Sequence, residues 1–347
     1  MSLLVHGTSA VREAHRFDER ALEDYLTAHV PGFAGPMRVS QFESGESNPT
    51  FHLAAASGEY VLRKKPPGRL LPSAHMVERE HRVMTALGGS GVPVPPVLHL
   101  CTDERVIGTP FFLMVYVPGR IFRHPSLPEL APADRRGVYE AMIDVLARLH
   151  SVAYAAVGLA DFGKPGNYYA RQITRWSEQY VAAKTGEMPA MDRLMAWLPD
   201  HIPPGDETSL VHGDYRLENL IFHSTEPRIV AVVDWELSTL GHPLGDLAYN
   251  CLSYHIDTSL LGGAAGTDDT AGRPSETEQI ERYCRLTGRD GIPHWNFYVA
   301  FSLFRLASIL QGVYARGLQG NASSAQALQR GASAARVADS AWGAVTA

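Results

Sequence analysis

Leu210–Glu236, LVHGDYRLENLIFHSTEPRIVAVVDWE, alternates polar clusters with short apolar runs. It holds His212-Gly213-Asp214, then Asn219 five residues beyond that aspartate, then the apolar run Ile229–Val233 ending in Asp234. Leu210 and Val211 precede the first polar cluster, and Leu220–Phe222 separate it from the second. Runs of this length are those of buried strands, so two carboxylates and a carboxamide are expected at the ends of strands that are themselves core. An aspartate that accepts a proton, with an asparagine and an aspartate that hold a divalent cation, is the minimum equipment for moving a phosphoryl group from a nucleotide to a hydroxyl.

N-terminal to this stretch the pattern changes twice. Residues 1–35 are a polar start and a lead-in helix with Phe17, Leu22, Tyr25 and Leu26 on one face, ended by Pro31-Gly32. Met37–Glu43, Thr50–Ala55 and Glu59–Lys65 then form an antiparallel meander, with a small-residue turn over 43–49 whose backbone can approach phosphates closely. A helix is predicted over His75–Leu87, and Val92–Val97 and Phe111–Val117 are β-like runs. Val117-Pro118-Gly119-Arg120 breaks the last of them, which predicts a first lobe over 36–118. From 119 to 347 the chain is expected to be mainly helical: 132–152, at least one helix within 168–198, 240–252, 275–286, 295–312 and a last one after Asn321. The Gly/Thr/Asp-rich segment 262–274 is long enough to act as a lid. The fold class expected is therefore α+β, in two lobes.

Composition narrows the function classes. Of 347 residues, 45% are hydrophobic and 20% charged, which fits globular domains. With 31 Lys and Arg against 37 Asp and Glu, the net charge of -6 disfavours a sequence-independent grip on nucleic acid. Three cysteines, Cys101, Cys251 and Cys284, without a CxxC pair suggest neither a disulfide framework nor a zinc site. No basic segment leads into an apolar core near the start, and no apolar run is expected to reach the roughly 20 residues of a membrane helix. A cytoplasmic protein without a membrane or nucleic-acid partner is the expectation; oligomeric state is not legible.

The spacing of Asp214, Asn219 and Asp234 matches the kinase arrangement of a loop base, a metal-binding asparagine and a later metal-binding aspartate. VHGDYRLENLIF with VVDWE resembles the aminoglycoside phosphotransferase and choline kinase type of small-molecule kinase, over about residues 36 to 255. In that family HGD and a D-W/F-E tripeptide stand where protein kinases carry HRD and DFG. More narrowly, ESGESNPTFHL, YVLRKKPPGRLLPSAHMVEREHRV and FFLMVYVPGR resemble the kinase-like domain fused at the N-terminal side of some acyl-CoA dehydrogenases. The chain reads as a stand-alone relative of it.

The resemblance implies a protein-kinase-like two-lobe fold, ATP and Mg²⁺ as cofactors, and roles for particular residues. Asp214 would be the catalytic base, and Asn219 and Asp234 the metal ligands. Ser47 and Asn48 would lie in the loop over the phosphates, and Met114–Val117, with Tyr116, would be the hinge whose backbone meets adenine. Val61 would line the nucleotide site, and Glu80 would pair with a cation on the preceding strand. Strand alternation puts Val61, Arg63 and Lys65 on one face, and the family's phosphate-binding cation falls at Arg63, where protein kinases have Lys; Lys64 or Lys65 is the alternative. His212 is expected to organise its loop, Asp246 to brace it, Trp235 to be core and Glu236 to lie near arginines or metal. Tyr168, Tyr169, Arg171, Arg175 and Trp176 either line an acceptor pocket or pack the helical lobe.

The activity implied is transfer of the γ-phosphoryl group to a hydroxyl of a small molecule, with a hydroxyacyl-CoA or hydroxy acid suggested by the narrower likeness and by Arg69, Arg171 and Arg175. The alternatives are an aminoglycoside phosphotransferase, a nucleotide-binding pseudokinase and a metallophosphoesterase. Mixed charge over 160–200 does not suit a polycation site.

Overall fold

The computed structural model describes residues 7–43, 48–66, 75–257, 270–319 and 327–346. They form two compact units: one of the residues up to Ile121 together with Asn219–Ser238, the other of Phe122–Glu218 and Thr239 onward. The expected division at 118 thus falls at 121, and the segment 219–238, expected with the helical lobe, groups with the sheet.

The first unit is built on a six-stranded antiparallel sheet in the order β1-β2-β3-β4-β6-β5. Its strands are β1 (Thr8–Ser9), β2 (Met37–Phe42), β3 (Thr50–Ala55), β4 (Gly58–Lys64), β5 (Val97–Cys101) and β6 (Phe111–Val115). Helix α1 (Glu19–His29) is capped by Asp18, whose carboxylate accepts from the Ala21 N–H at 2.9 Å. Its Leu22 and Leu26 join Phe51, Leu53, Leu62, Phe111 and Leu113 in one buried cluster, so the lead-in helix belongs to this unit's core. Helix α2 (Val77–Leu87) buries Val77, Glu80, Val83, Met84 and Leu87, a single helical stripe that carries one carboxylate inward with the apolar residues. The expected strand over Val92–Val97 is displaced: its prolines cannot donate to a ladder, and pairing begins only at Val97. Two further strands, β8 (Leu220–Phe222) and β9 (Ile229–Val232), pair antiparallel; the Val232 N–H donates to the Pro93 carbonyl at 2.8 Å.

The second unit is helical: α3 (Pro132–His150), α4 (Tyr168–Ala183), α5 (Pro189–Asp200), α6 (Pro243–Asn250), α7 (Glu276–Thr287), α8 (Trp295–Leu318), α9 (Ala327–Gly331) and α10 (Ala334–Thr346). Strands β7 (Ser209–Val211) and β10 (Thr239–Gly241) form an antiparallel pair inside it. Gly241 allows that pair to close, since a Cβ there would lie 2.7 Å from the Tyr168 ring and 2.9 Å from Val211. The expectation that no apolar run reaches membrane-spanning length is corrected at α8. Its 24 residues are long and apolar enough, and 78% of the apolar window is buried inside the protein, which makes α8 the central core helix of its unit.

Candidate functional site

In the sheet unit, alternation along β4 sends Leu62 into the α1 cluster and Arg63 to the opposite face. Arg63 is buried, and its Nε donates to Glu80 at 3.1 Å while Nη2 donates to Asp234 Oδ1 at 2.5 Å. Glu236 Oε2 lies 3.9 Å from the same Nη2. One guanidinium therefore bridges α2 to the Asp234–Glu236 turn, a span that a single ammonium does not offer in the same fork geometry. Lys64 points the other way, 5.9 Å above the Phe17 ring and 5.8 Å above Phe51, and Lys65 pairs with Glu78 at 2.6 Å. Of the three candidate cations, Arg63 is the partner of Glu80.

Burial pushes the Glu80 carboxyl up to about 7, aided by Asp234 and Glu236 and opposed by Arg63 and Asn48. Burial works against the charge on Arg63, yet the surrounding carboxylates Glu80, Asp234 and Glu236 hold the guanidinium above its ordinary value. Asn48 is fully buried; its Nδ2 donates to Glu80 at 2.9 Å and to Glu236 at 3.4 Å, and its Oδ1 meets His75 Nδ1 at 3.1 Å. Its side-chain amide is thus spent on the carboxylates. Ser47, expected beside it, lies outside the described residues.

Val61 and Met114 are register partners across β4 and β6, and both are buried. The Tyr116 N–H, in the segment expected to meet adenine, donates to the Glu59 carbonyl at 3.1 Å and is committed within the sheet. The Tyr116 ring packs edge-on to His52 at 5.0 Å.

Asn219 and Asp234 are brought together by the β8–β9 pairing. The Val233 N–H donates to the Asn219 carbonyl at 3.0 Å, so the Asn219 backbone runs alongside the residue that precedes Asp234. Asp234 adopts a left-handed backbone, φ 68° and ψ 57°, unusual for a residue with a side chain and frequent where function over-determines geometry. Trp235 is fully buried, its Nε1–H bonded to the Val232 carbonyl at 2.9 Å, and anchors the turn. A carboxamide oxygen and a carboxylate are hard oxygen donors of the kind Mg²⁺ takes, so Asn219 and Asp234 fit that ion.

In the helical unit, the His212–Asp214 loop follows β7 and is fastened by Asp246 at the start of α6. The buried Asp246 carboxylate accepts the His212 N–H at 2.6 Å and the Gly213 N–H at 2.9 Å. His150 Nε2 lies 3.4 Å from Asp246 Oδ2, and its Nδ1 is hydrogen-bonded with the Tyr283 hydroxyl at 2.7 Å. Burial opposes the Asp246 charge, but His150 and the hydrogen bond from His212 hold the carboxyl below its ordinary range. Gly213 has φ 84°, which only glycine adopts cheaply, and the turn it makes sets Asp214 beyond it. The Asp214 N–H donates to His212 Nδ1 at 3.2 Å, so His212 organises the loop from a fully buried position. Arg305 donates to the Gly213 carbonyl, and Asp214 is hydrogen-bonded to the Tyr249 hydroxyl.

The helical unit holds an aspartate on a loop pinned through its backbone, and the sheet unit holds a buried arginine with an acidic helix partner and oxygen-bearing side chains; these are residue types that phosphoryl transfer uses. Residues 38–298 match the phosphotransferase enzyme family. The chain belongs to that family. A structure from Ralstonia eutropha, assigned provisionally as an aminoglycoside phosphotransferase, is 51% identical with a TM-score of 0.86, covering 95% of this chain and 99% of that one. A spectinomycin phosphotransferase solved with ADP and spectinomycin shares the fold at 12% identity, with a TM-score of 0.63 over 94% of this chain and 98% of that one. Mouse acyl-CoA dehydrogenase family member 10 is 50% identical over 99% of this chain and 32% of its own length. Chicken acyl-CoA dehydrogenase family member 11 is 50% identical over 91% of this chain and 42% of its own length. The phosphotransferase chain thus spans a third to two fifths of these curated relatives.

Two parts of the phosphotransferase loop anchor were not singled out from sequence. His150 ends an amphipathic helix and carries no signal of its own. Arg305 does carry one, as a lone charge inside the apolar run FSLFRLASIL. Of the aromatics expected to line a pocket or to pack, Tyr168, Tyr169 and Trp176 are buried, and Tyr169 packs against His242, Phe297, Tyr298 and Phe301.

Proposed function

We propose that this phosphotransferase is an ATP-dependent, Mg²⁺-requiring kinase that moves the γ-phosphoryl group to the hydroxyl of a small molecule, a hydroxy acid or hydroxyacyl-CoA. The observation that carries the reading is the Arg63 bridge between Glu80 and Asp234, because a permanent cation touching Asp234 supports a phosphate site next to a carboxylate that would hold a metal ion. Arg63 grips phosphate oxygens through its fork, and Glu80 and Asn48 hold it in place. Asn219 and Asp234 would hold Mg²⁺, which neutralises phosphate charge when bound. Asp214 accepts the acceptor hydroxyl proton as its oxygen attacks, and the backbone anchor on Asp246 keeps that carboxylate in position. The acyl-CoA dehydrogenase relatives favour an acyl-type acceptor, and the mixed charge of 160–200 disfavours a polycationic drug.

The test is ADP formation from Mg-ATP with a panel of hydroxy acids, hydroxyacyl-CoAs and aminoglycosides, in the wild type and in Asp214→Asn. Acceptor-stimulated turnover lost in Asp214→Asn supports the reading. Tight Mg-ATP binding with no acceptor raising turnover above the variant's background overturns it in favour of a nucleotide-binding pseudokinase.

A further inference from the structure

We infer that Arg305 and Arg175 form an oxyanion subsite in the helical unit that receives a carboxylate or phosphate group of the acceptor, an inference that rests on the phosphotransferase reading above. Arg305 lies mid-way along α8 and is only 7% exposed. One Nη donates to the Gly213 carbonyl, while Nε is buried without any hydrogen-bond acceptor. Its guanidinium carbon sits 5.5 Å from the Trp176 ring centroid and 5.2 Å from that of Tyr249. No carboxylate pairs with it among the described residues. A buried cation met by one carbonyl and two aromatic faces is under-compensated, and a charge of that kind persists where something else supplies the counter-charge.

Its surroundings extend the same sign. Tyr168, Arg171 and Arg175 fall at i, i+3 and i+7 of α4, one stripe of the helix. Arg175 is exposed and lies 5.5 Å from the Trp176 centroid, so the indole has a guanidinium contact with both α4 and α8. Arg171 spends its two Nη groups on the carbonyls of Gly166 and Lys164. Among the described residues none of the three is paired with a carboxylate, although the chain is net acidic and Arg282, Arg289 and Lys65 elsewhere all are. Tyr249 touches both Arg305 and the Asp214 carboxylate, which places the unpaired cation one ring away from the proposed base. A guanidinium so placed suits a planar or tetrahedral oxyanion held by two N–H donors, and it repels a polycation.

A structural role for Arg305 as a brace of Gly213 makes a different prediction, so binding rather than turnover is the readout. Titration calorimetry of the full chain with hexanoate, hexyl phosphate and hexanamide, none of which has a free hydroxyl to phosphorylate, reads the subsite even if no phosphoryl transfer occurs. Hexanoate or hexyl phosphate is expected to bind and hexanamide not, and the tighter of the two anions identifies the oxyanion. Arg305→Gln and the surface variant Arg175→Ala should each weaken anion binding about tenfold or more while leaving Mg-ATP affinity unchanged. Should Arg305→Gln misfold, Arg175→Ala and Arg305→Lys carry the test. Equal binding of amide and anions, no anion binding to the wild type, or anion affinity unchanged in these variants would overturn the proposal.

Discussion

Arg63 in the sheet unit and Arg305 in the helical unit are both buried arginines, and they are compensated in opposite ways. Arg63 is met by Glu80 and Asp234 in direct contact and by Glu236 at 3.9 Å, so its neighbourhood already carries excess negative charge. Arg305 is met by a carbonyl and two rings. The difference teaches where each ligand's charge belongs. Under the proposed function, a phosphate at Arg63 would take the guanidinium from Asp234 as a cation takes the carboxylate, an exchange of partners with little net change in charge. Around Arg305 an incoming anion supplies what the protein lacks.

The comparison can be broken at several points. The largest effect is expected at Asp214: Asp214→Asn should lower acceptor phosphorylation by about 10²–10⁴-fold with nucleotide affinity retained, measured by steady-state turnover beside a binding titration. Equal loss of both would mean that the loop serves binding. Next, Arg63→Met strands two buried or half-buried carboxylates and should destabilise the sheet unit by about 3–5 kcal/mol in urea denaturation. Arg63→Lys should cost less, because it keeps the charge and loses only the span; equal costs would show that the bridge is not what matters. Asp246→Asn removes the ionised acceptor of the His212 and Gly213 amides, at about 2 kcal/mol. Faster hydrogen exchange confined to those two amides is the readout that sharpens the anchor assignment.

The smallest effect concerns pH. His242 caps α6, accepting from the Leu244 N–H at 3.3 Å, and burial lowers its pKa to about 4. The unfolded chain binds this proton near 6.5 and the folded one does not, so the contribution is full above 6.5 and is lost as pH falls toward 4. His242→Asn keeps a capping acceptor without the titration, and its stability should fall less steeply between pH 6.5 and 4, by about 1–2 kcal/mol across that window. Parallel pH curves for variant and wild type would contradict the assignment.

Much of this was legible in the sequence because it is local. Periodicity placed α1, α2 and the β2–β4 meander, and the spacing of Asp214, Asn219 and Asp234 marked the chemistry before any coordinate. Strand alternation put Arg63 and Lys65 on one face but left the partner of Glu80 open; the side-chain contacts show that Arg63 takes it, with Lys64 over Phe17 and Phe51 and Lys65 on Glu78. The side-chain partners of Asn48 were not legible, because a small-residue turn announces backbone access and says nothing of where a side chain goes. The grouping of 219–238 with the sheet unit, and the His150–Asp246–Tyr283 chain, depend on contacts across some 30 to more than 130 residues of sequence. Such contacts leave no periodic trace. Arg305 left the one trace available to a buried charge, a break in an apolar helix.

The central claim is that the chain transfers phosphoryl groups to a small-molecule hydroxyl. It is tested most directly by ³¹P NMR of the full-length chain incubated with Mg-ATP and the hydroxy acid and hydroxyacyl-CoA panel. The account predicts a new phosphomonoester resonance that grows with ADP in the wild type and is absent in Asp214→Asn. Inorganic phosphate as the sole new species, or unchanged ATP with every acceptor, would contradict it.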